Sequence, residues 1–453
     1  METGERVMDA DRDLELPATW FGDPRRARRR LIITAALVAA IAVNVGLLAY
    51  GLWGGGGGAG EVASSPSGDG AAAGAEPGAI AVAPADAAVA PDAPPRPAGY
   101  DPAAPPPSDL VRSATLGEVK RNRWVHFGAG YWRLWGGALA GSQPKSVTVA
   151  ASGAVYVTNT GYHDRDNVDR WDPVTLEVAA TAQFKGNAVE QVLSPDQHTL
   201  YVSNFYHQEV LALDADTLAV TRRFHVGKVP KHMAISADGR TLYASNWDSG
   251  STTIIDIATG DAQDIAVGRE PRGTAASADG TRLYVVNFDS DTISVIDLAT
   301  RRVVKTLGKV GCDAPRHAVV TRDDRWVLVT CYHGRNVVVI DRQTDEVVRS
   351  ITVGQGPKTI DVSWDGAFAY TADYTAHSMS IIDLATWTAK RVPLPIWRAS
   401  GLAVSHDDRR IYVTGWDSRS LVVVQRWLPG DPIGAVSPRQ PTGACLRTNG
   451  DGC

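Results

Sequence analysis

The amino-acid sequence predicts an all-β protein: a seven-bladed β-propeller of four-stranded antiparallel blades, preceded by one transmembrane helix and a disordered linker. Three observations predict the propeller. A phrase of the type Val-Tyr-Val-Thr-Asn recurs seven times after residue 144. Each repeat of about 42 residues contains four short runs rich in β-branched residues, separated by tight turns. No helical periodicity competes with this pattern.

The repeated phrase marks the second strand of each blade. Its second positions are Tyr156, Tyr201, Tyr243, Tyr284, Leu328, Tyr370 and Tyr412. A second marker, Asp-x-x-Thr, begins at Asp172, Asp214, Asp256, Asp297, Asp341 and Asp383. The short side-chain oxygens of this marker can accept hydrogen bonds from backbone amides, so we expect them to close the turn between the third and fourth strands.

The repeated phrase resembles the YVTN-repeat family of seven-bladed β-propellers over roughly residues 116–427. The resemblance implies a surface or periplasmic protein. It is specific for the fold and weak for function, because one fold hosts many functions.

The N-terminal region has the pattern of a membrane anchor. Residues 31–53 contain no charged side chain, and a spanning helix needs about 20 apolar residues. Five arginines lie in residues 25–30, which keeps that end in the cytoplasm by the positive-inside rule. We therefore expect a single-pass protein of the bacterial inner membrane with its propeller in the periplasm or outside the cell. A cleaved signal peptide is the alternative.

The predicted domain organisation follows from these patterns. The Gly-, Ala- and Pro-rich composition of residues 54–111 is typical of a tether that cannot form a packed core. The predicted segments are a cytoplasmic tail (1–30), a transmembrane signal-anchor (31–53), a linker (54–111), the propeller (112–428) and a C-terminal tail (429–453).

Blade seven lacks a fourth strand of its own, because the chain turns to Pro and Gly soon after Gln425. Residues 117–126 read like a fourth strand, and we expect them to complete this blade and remove an exposed sheet edge. The following insertion, residues 128–143, is expected on the channel-mouth face as a cap or gate.

A basic residue recurs in the link that leads into the first strand of each blade. These residues are Lys145, Lys231, Arg272, Arg316, Lys358 and, in blade seven, Arg398, whereas blade two has Val189-Glu190. If they point inward they form a basic ring that attracts an anion. The alternative is that they are solvated loop charges paired with nearby acids.

Aromatic residues and histidines accompany the basic ring. The aromatic candidates are Trp247, Tyr332 and Trp416, and the histidine candidates are His232 and His317. Rings beside cations suit the stacking of bases or sugars. The alternative is that each ring packs against the neighbouring blade. The histidines lack close metal-ligand spacing, so neither a metal nor another cofactor is expected.

These residues favour a binding module over an enzyme. The expected partner is an anionic ligand, a polymer such as single-stranded nucleic acid or glycan, or an acidic loop of a protein. The net charge of −5 argues against a dedicated nucleic-acid binder. One alternative is a hydrolase, because Pro315-Arg316-His317 resembles the motif of propeller lactonases; a lactone substrate is disfavoured because Cys331 stands where that family has Glu. A purely structural scaffold is the third reading.

Four cysteines form two candidate pairs. Cys312 and Cys331 are expected on one face of blade five, where a disulfide would suit an oxidising compartment; the alternative is a pair of free thiols. Cys445 and Cys453 would form a second bridge in the C-terminal tail.

Overall fold

The computed structural model describes residues 125–127, 130–161, 167–308 and 310–428. Within them the chain forms seven antiparallel sheets, which confirms the predicted propeller. The predicted segments 1–30, 31–53, 54–111 and 429–453 lie outside the described residues. Among the residues that are described, no helix is long and apolar enough to cross a bilayer.

Two strands precede the first blade, β1 (Val125–Phe127) and β2 (Gly130–Leu139). Each of the first four blades then contains four strands that are consecutive in sequence. Blade one contains β3 (Pro144–Val149), β4 (Val155–Asn159), β5 (Val168–Trp171) and β6 (Val178–Ala182). Blade two contains β7 (Ala188–Leu193), β8 (Thr199–Asn204), β9 (Glu209–Asp214) and β10 (Val220–His225). Blade three contains β11 (Pro230–Ile235), β12 (Thr241–Asn246), β13 (Ser251–Asp256) and β14 (Ala262–Ala266). Blade four contains β15 (Pro271–Ala276), β16 (Arg282–Asn287), β17 (Thr292–Asp297) and β18 (Arg302–Gly308).

The remaining blades follow the same order until the last strand. Blade five contains β19 (Pro315–Val320), β20 (Trp326–Cys331), β21 (Asn336–Asp341) and β22 (Glu346–Thr352). Blade six contains β23 (Pro357–Val362), β24 (Phe368–Asp373), β25 (Ser378–Asp383) and β26 (Thr388–Pro393). Blade seven contains β27 (Ala399–Val404), β28 (Arg410–Gly415) and β29 (Ser420–Trp427), joined by β2 and β1.

The core lies between adjacent blades. The middle strands are apolar on both faces, so each sheet buries side chains against both neighbours. Tyr156 of blade one, for example, belongs to the same buried cluster as Leu200 and Val202 of blade two. Burial of this apolar surface is the main force that holds the blades in a ring.

The Asp-x-x-Thr turns form as the sequence predicts. The Asp214 carboxylate accepts hydrogen bonds from the Thr217 amide at 2.8 Å and the Thr217 hydroxyl at 2.7 Å. Asp297 makes the same pair of bonds to Thr300, both at 2.8 Å. Each carboxylate thus closes the hairpin between the third and fourth strands of its blade.

An N-terminal strand closes the ring, as predicted, but the predicted segment was wrong. The fourth strand of blade seven is β2, which pairs along its length with β29, and not residues 117–126. Val125–Phe127, which overlap the end of that segment, instead form β1, a fifth strand outside β2. The insertion at 128–143 is therefore mostly the closing strand and not a cap on the channel. Residues 117–124 lie outside the described part of the chain.

The disulfide between Cys312 and Cys331 is confirmed, with a Cα–Cα distance of 4.9 Å. It joins the link before β19 to the end of β20. In blade two the corresponding link is held by an amide, since Asn204 Nδ2 donates to the Lys185 carbonyl at 3.0 Å. The disulfide makes the equivalent connection covalently. The predicted Cys445–Cys453 pair lies outside the described residues.

Candidate functional site: a cationic upper channel

The innermost strand of each blade begins on one face of the ring, which we call the upper face. The links from fourth to first strands and from second to third strands meet there. In blade five, Pro315 is in register with Cys331 and His317 with Thr330, so Arg316 is the extra residue of a β-bulge. The basic residues of blades three, four and six occupy the same bulge position. The bulge thus separates each basic residue from the regular strand pairing.

The recurring Thr or Ser of the repeated phrase fixes these bulges. The His317 amide donates to the Thr330 hydroxyl oxygen at 3.0 Å. The equivalent bond joins the Glu190 amide to Ser203 at 3.0 Å. Blades one and seven repeat it at 3.0 Å from Ser146 to Thr158 and at 2.8 Å from Gly401 to Thr414. The phrase therefore marks the strand and also orients the residues that follow the bulge, a role that sequence reasoning missed.

Arg398 does not occupy the bulge position, so the prediction for blade seven was wrong. Ala399 pairs with Gly415 as Pro357 pairs with Asp373, which makes Ser400 the equivalent of the basic residues. Arg398 lies on the exposed rim, with its Nε 3.1 Å from an Asp417 carboxylate oxygen. The ring therefore carries five cations and not six.

Aromatic rings interleave with the cations. Lys231 Nζ lies 4.1 Å from the centroid of Phe205 and 4.6 Å from that of Trp247. The Arg272 guanidinium lies 3.9 Å from the centroid of Phe288 and 5.1 Å from that of Trp247. Cation–π attraction and packing both hold the cationic groups in place.

The same arrangement continues through blades five to seven. The Arg316 guanidinium lies 5.5 Å from the centroid of Tyr332. Lys358 Nζ lies 4.5 Å from the centroid of Tyr374 and 4.7 Å from that of Trp416, and donates to the Ser400 hydroxyl at 2.6 Å. The three predicted aromatics, Trp247, Tyr332 and Trp416, thus all contact a predicted cation.

Blade two supplies the one carboxylate of the inner strands that reaches the ring cations in the described structure. Glu190 forms an ion pair with the buried Lys145 Nζ. Burial lowers the pKa of Lys145 to about 8 although Glu190 opposes the shift. Burial alone would raise the pKa of Glu190, but the charge of Lys145 and its hydrogen bond contribute to lowering that pKa to about 2. Lys145 is thus neutralised locally by its neighbour.

The other cations repel one another. Burial, followed by the charge of Arg316, lowers the pKa of Arg272 to about 10. Burial and the neighbouring arginines and lysines also lower the pKa values of Lys231 and Lys358 well below the usual range. Within the described structure none of Lys231, Arg316 and Lys358 forms an ion pair with a carboxylate. An anion in the channel would relieve this repulsion.

The two predicted histidines meet below the cations. The rings of His232 and His317 contact edge to face, with centroids 4.2 Å apart. His232 Nδ1 accepts the Thr274 amide hydrogen at 3.3 Å, which leaves its Nε2 as the donor of the neutral ring. Burial lowers the pKa of both histidines, so both are neutral at pH 7.

The arrangement provides little for catalysis by the lactonase route. Cys331 stands where that motif needs a carboxylate, and its sulfur is bonded to Cys312. Among the described residues, no three His, Cys, Asp or Glu side chains converge to hold a metal ion. What the described channel offers is positive charge held in fixed positions.

The fold and this channel define a seven-bladed β-propeller protein with a cationic upper mouth. The chain belongs to the YNCE-like β-propeller family, whose model matches residues 132–398. No curated protein matches the chain.

Two solved structures are similar in fold. A chain of Kuenenia stuttgartiensis hydrazine synthase is 20% identical with a TM-score of 0.57, over 64% of this chain and 97% of that one. A streptogramin B lyase is 12% identical with a TM-score of 0.57, over 66% of this chain and 98% of that one. At these identities the likeness shows the fold alone.

Proposed function

We propose that this protein is a binding module that holds an anionic ligand or an anionic group of a partner protein in its upper channel. One observation carries the proposal: Lys231, Arg316 and Lys358 lie on inner strands, fixed against aromatic rings, without a carboxylate partner in the described structure. Cations held together in this way cost free energy unless an anion binds. Clefts of one charge sign with apolar walls attract the opposite charge.

The proposal is tested by titrating the full-length protein with citrate, pyrophosphate, heparin, polyglutamate and oligothymidylate, with the intrinsic tryptophan fluorescence as readout. Trp247 and Trp416 contact ring cations and should report occupancy. We expect saturable binding of at least one anion that weakens at higher salt. Replacing Arg272, Arg316 and Lys358 together with glutamine should weaken it at least about a hundredfold, since charge-assisted bonds contribute about 1.5–3 kcal/mol each.

The matched control is Arg398→Gln, because Arg398 lies on the rim and is paired with Asp417. This variant should bind almost as well as the wild type. Absence of binding by every anion at low salt would reject the proposal in favour of a structural scaffold. Equal binding by the triple variant would place any anion site elsewhere.

We also propose that residues 31–53 anchor the protein in the inner membrane with the propeller outside the cytoplasm. The uncharged stretch and the preceding arginines support this topology. The Cys312–Cys331 disulfide also fits an oxidising compartment. The full-length protein should sediment with membranes, resist carbonate extraction, and be cut by protease added to spheroplasts. Protection of the propeller in intact spheroplasts would contradict the topology, and release by carbonate would contradict the anchor.

A further inference from the structure

The aromatic faces of the channel are already occupied by the protein's own cations. Trp247 packs against both Lys231 and Arg272, at 4.6 and 5.1 Å from its centroid. Tyr374 likewise contacts Lys358 at 4.5 Å and Arg398 at 5.5 Å. A ring in contact with two cationic groups offers less of its surface to a base or a sugar. These two rings therefore position cations and are poorly suited to stacking.

The inner strands of blades four and five approach closely where they carry Arg272 and Arg316. Gly273 follows Arg272 at the bulge, and a Cβ atom there would lie 2.7 Å from the Arg316 carbonyl oxygen and 2.8 Å from His317 Cα. Only glycine permits this close approach of β15 and β19. The approach brings the backbone that follows Arg272 against the backbone of Arg316, and burial together with the charge of Arg316 lowers the pKa of Arg272.

Both guanidinium groups retain unused hydrogen-bond donors. The Nε atoms of Arg272 and Arg316 are buried and lack a hydrogen-bond partner. Arg272 has one ion pair, at 3.2 Å to Glu270. Paired guanidinium groups with free N–H donors match the oxygens of a phosphate or carboxylate, which they bind in a bidentate manner.

We propose that Arg272 and Arg316 together clamp a compact oxyanion of two or more negative charges, of the phosphate or pyrophosphate type, and that Lys231 and Lys358 flank it. This inference rests on the proposed function and specifies its ligand.

The surroundings limit the size and position of the ligand. Lys145 is neutralised by Glu190 and Arg272 is paired with Glu270, so the ring cations without a carboxylate partner in the described structure lie on blades three, five and six. Lys358 is only 8% exposed. Because this cation is largely buried, the proposed clamp suits a small anion better than a polymer backbone. A buried hydroxyl without a partner, Thr274 Oγ1, lies on the same inner strand as Arg272.

The test is calorimetric titration of the full-length protein with pyrophosphate, sulfate, chloride and oligothymidylate. We expect pyrophosphate to bind at one site per chain and at least about tenfold more tightly than chloride. Arg272→Gln and Arg316→Gln should each weaken pyrophosphate binding by about tenfold or more. Arg316→Lys keeps the positive charge but loses the planar guanidinium group that can bind two oxygens at once. Its affinity for pyrophosphate should therefore lie between those of the wild type and Arg316→Gln. Arg398→Gln should change the affinity by less than about twofold.

A second measurement uses only the wild type, so it tests the inference even if the variants fail to fold. In the wild type, pyrophosphate should protect Arg272 and Arg316, but not Arg398, from an arginine-specific reagent, as read by peptide mass spectrometry. Tight binding of oligothymidylate without binding of pyrophosphate or sulfate would overturn the inference and leave the proposed function standing. Binding of none of the four anions would overturn the inference, and the wider panel described above then decides the proposed function. Unchanged pyrophosphate affinity in both glutamine variants, or no protection of either arginine, would also overturn it.

Discussion

Replacing Trp132 with alanine should lower the free energy of unfolding by roughly 3–5 kcal/mol, the range measured when a buried Trp or Phe becomes Ala. Trp132 lies in the closing strand β2 and is fully buried. Its ring meets Phe368 edge to face at 4.9 Å, and its Nε1 donates to the Tyr370 hydroxyl at 3.4 Å. The substitution removes contacts between blade seven and blade six at the point where the ring closes. Urea unfolding of the two proteins measures the effect.

The surface tryptophan Trp397 provides the control. It is 46% exposed and stacks on His377 with centroids 4.0 Å apart. Trp397→Ala should cost less than about 1 kcal/mol, because surface substitutions rarely remove much buried area. Equal losses of the free energy of unfolding in Trp132→Ala and Trp397→Ala would show that the buried face of β2 does not hold this strand in place.

Replacing Asp373 with asparagine should stabilise the protein at pH 8 by about 2–4 kcal/mol. Asp373 is fully buried, and burial raises its pKa to about 7 against the hydrogen bonds that favour its ionised form. It accepts hydrogen bonds from the hydroxyls of Thr371 at 2.7 Å and Ser380 at 2.6 Å. Four other blades carry Asn at this point in the repeated phrase, so an amide fits the same geometry.

The effect should depend on pH in a defined direction. The folded-state pKa of Asp373 lies above its ordinary value of 3.8, so the protonated carboxyl group is the better fit for the folded state. The contribution of the protonated Asp373 carboxyl group to the free energy of unfolding is complete below about pH 4. It is lost as the pH rises through about 7. The stability difference between Asp373→Asn and the wild type should therefore be small at pH 4 and reach a plateau by pH 8. Melting temperatures across this range measure it.

Blade four allows the reciprocal substitution. Asn287 occupies the equivalent position, where its Nδ2 donates to Thr292 at 3.1 Å and to Ser294 at 3.0 Å. Asn287→Asp should destabilise the protein at pH 8 and much less at pH 4. A stability gain from Asp373→Asn that is the same at pH 4 and pH 8 would contradict a charge-based cause.

The repeat made the blades predictable, because a period-two pattern in every copy requires the same side chains to face neighbouring sheets. The closing strand was placed wrongly because Gly130–Leu139, GYWRLWGGAL, has three glycines and few β-branched residues. Its pairing depends on a partner almost three hundred residues away. Local sequence pattern contains no signal for such a contact.

The recurrence of a basic residue in the ring could be predicted from the sequence, but the position in blade seven and the contacts of the cations could not. A Pro-basic pair marks the bulge in five blades, but in blade seven Ala399 replaces the proline and the register shifts the equivalent position to Ser400. Some of the contacts between rings and cations, such as Arg272 with Trp247 and Lys358 with Trp416, join neighbouring blades, which no single repeat encodes. The close approach at Gly273 likewise depends on two neighbouring inner strands.

The closure by β2 has a consequence for how the protein is made. Arg133 Nε donates to Gln425 Oε1 at 3.0 Å across 292 positions of the chain. A ribosome therefore releases the closing strand long before its partner β29 exists, and β2 must wait without this partner while six complete blades emerge. The ring can be sealed only after Ser420–Trp427 have been synthesised, so a chain interrupted before residue 420 leaves two sheet edges open at once. The pairing of β2 with β29 is thus the late step that separates chains able to close the ring from those that are not.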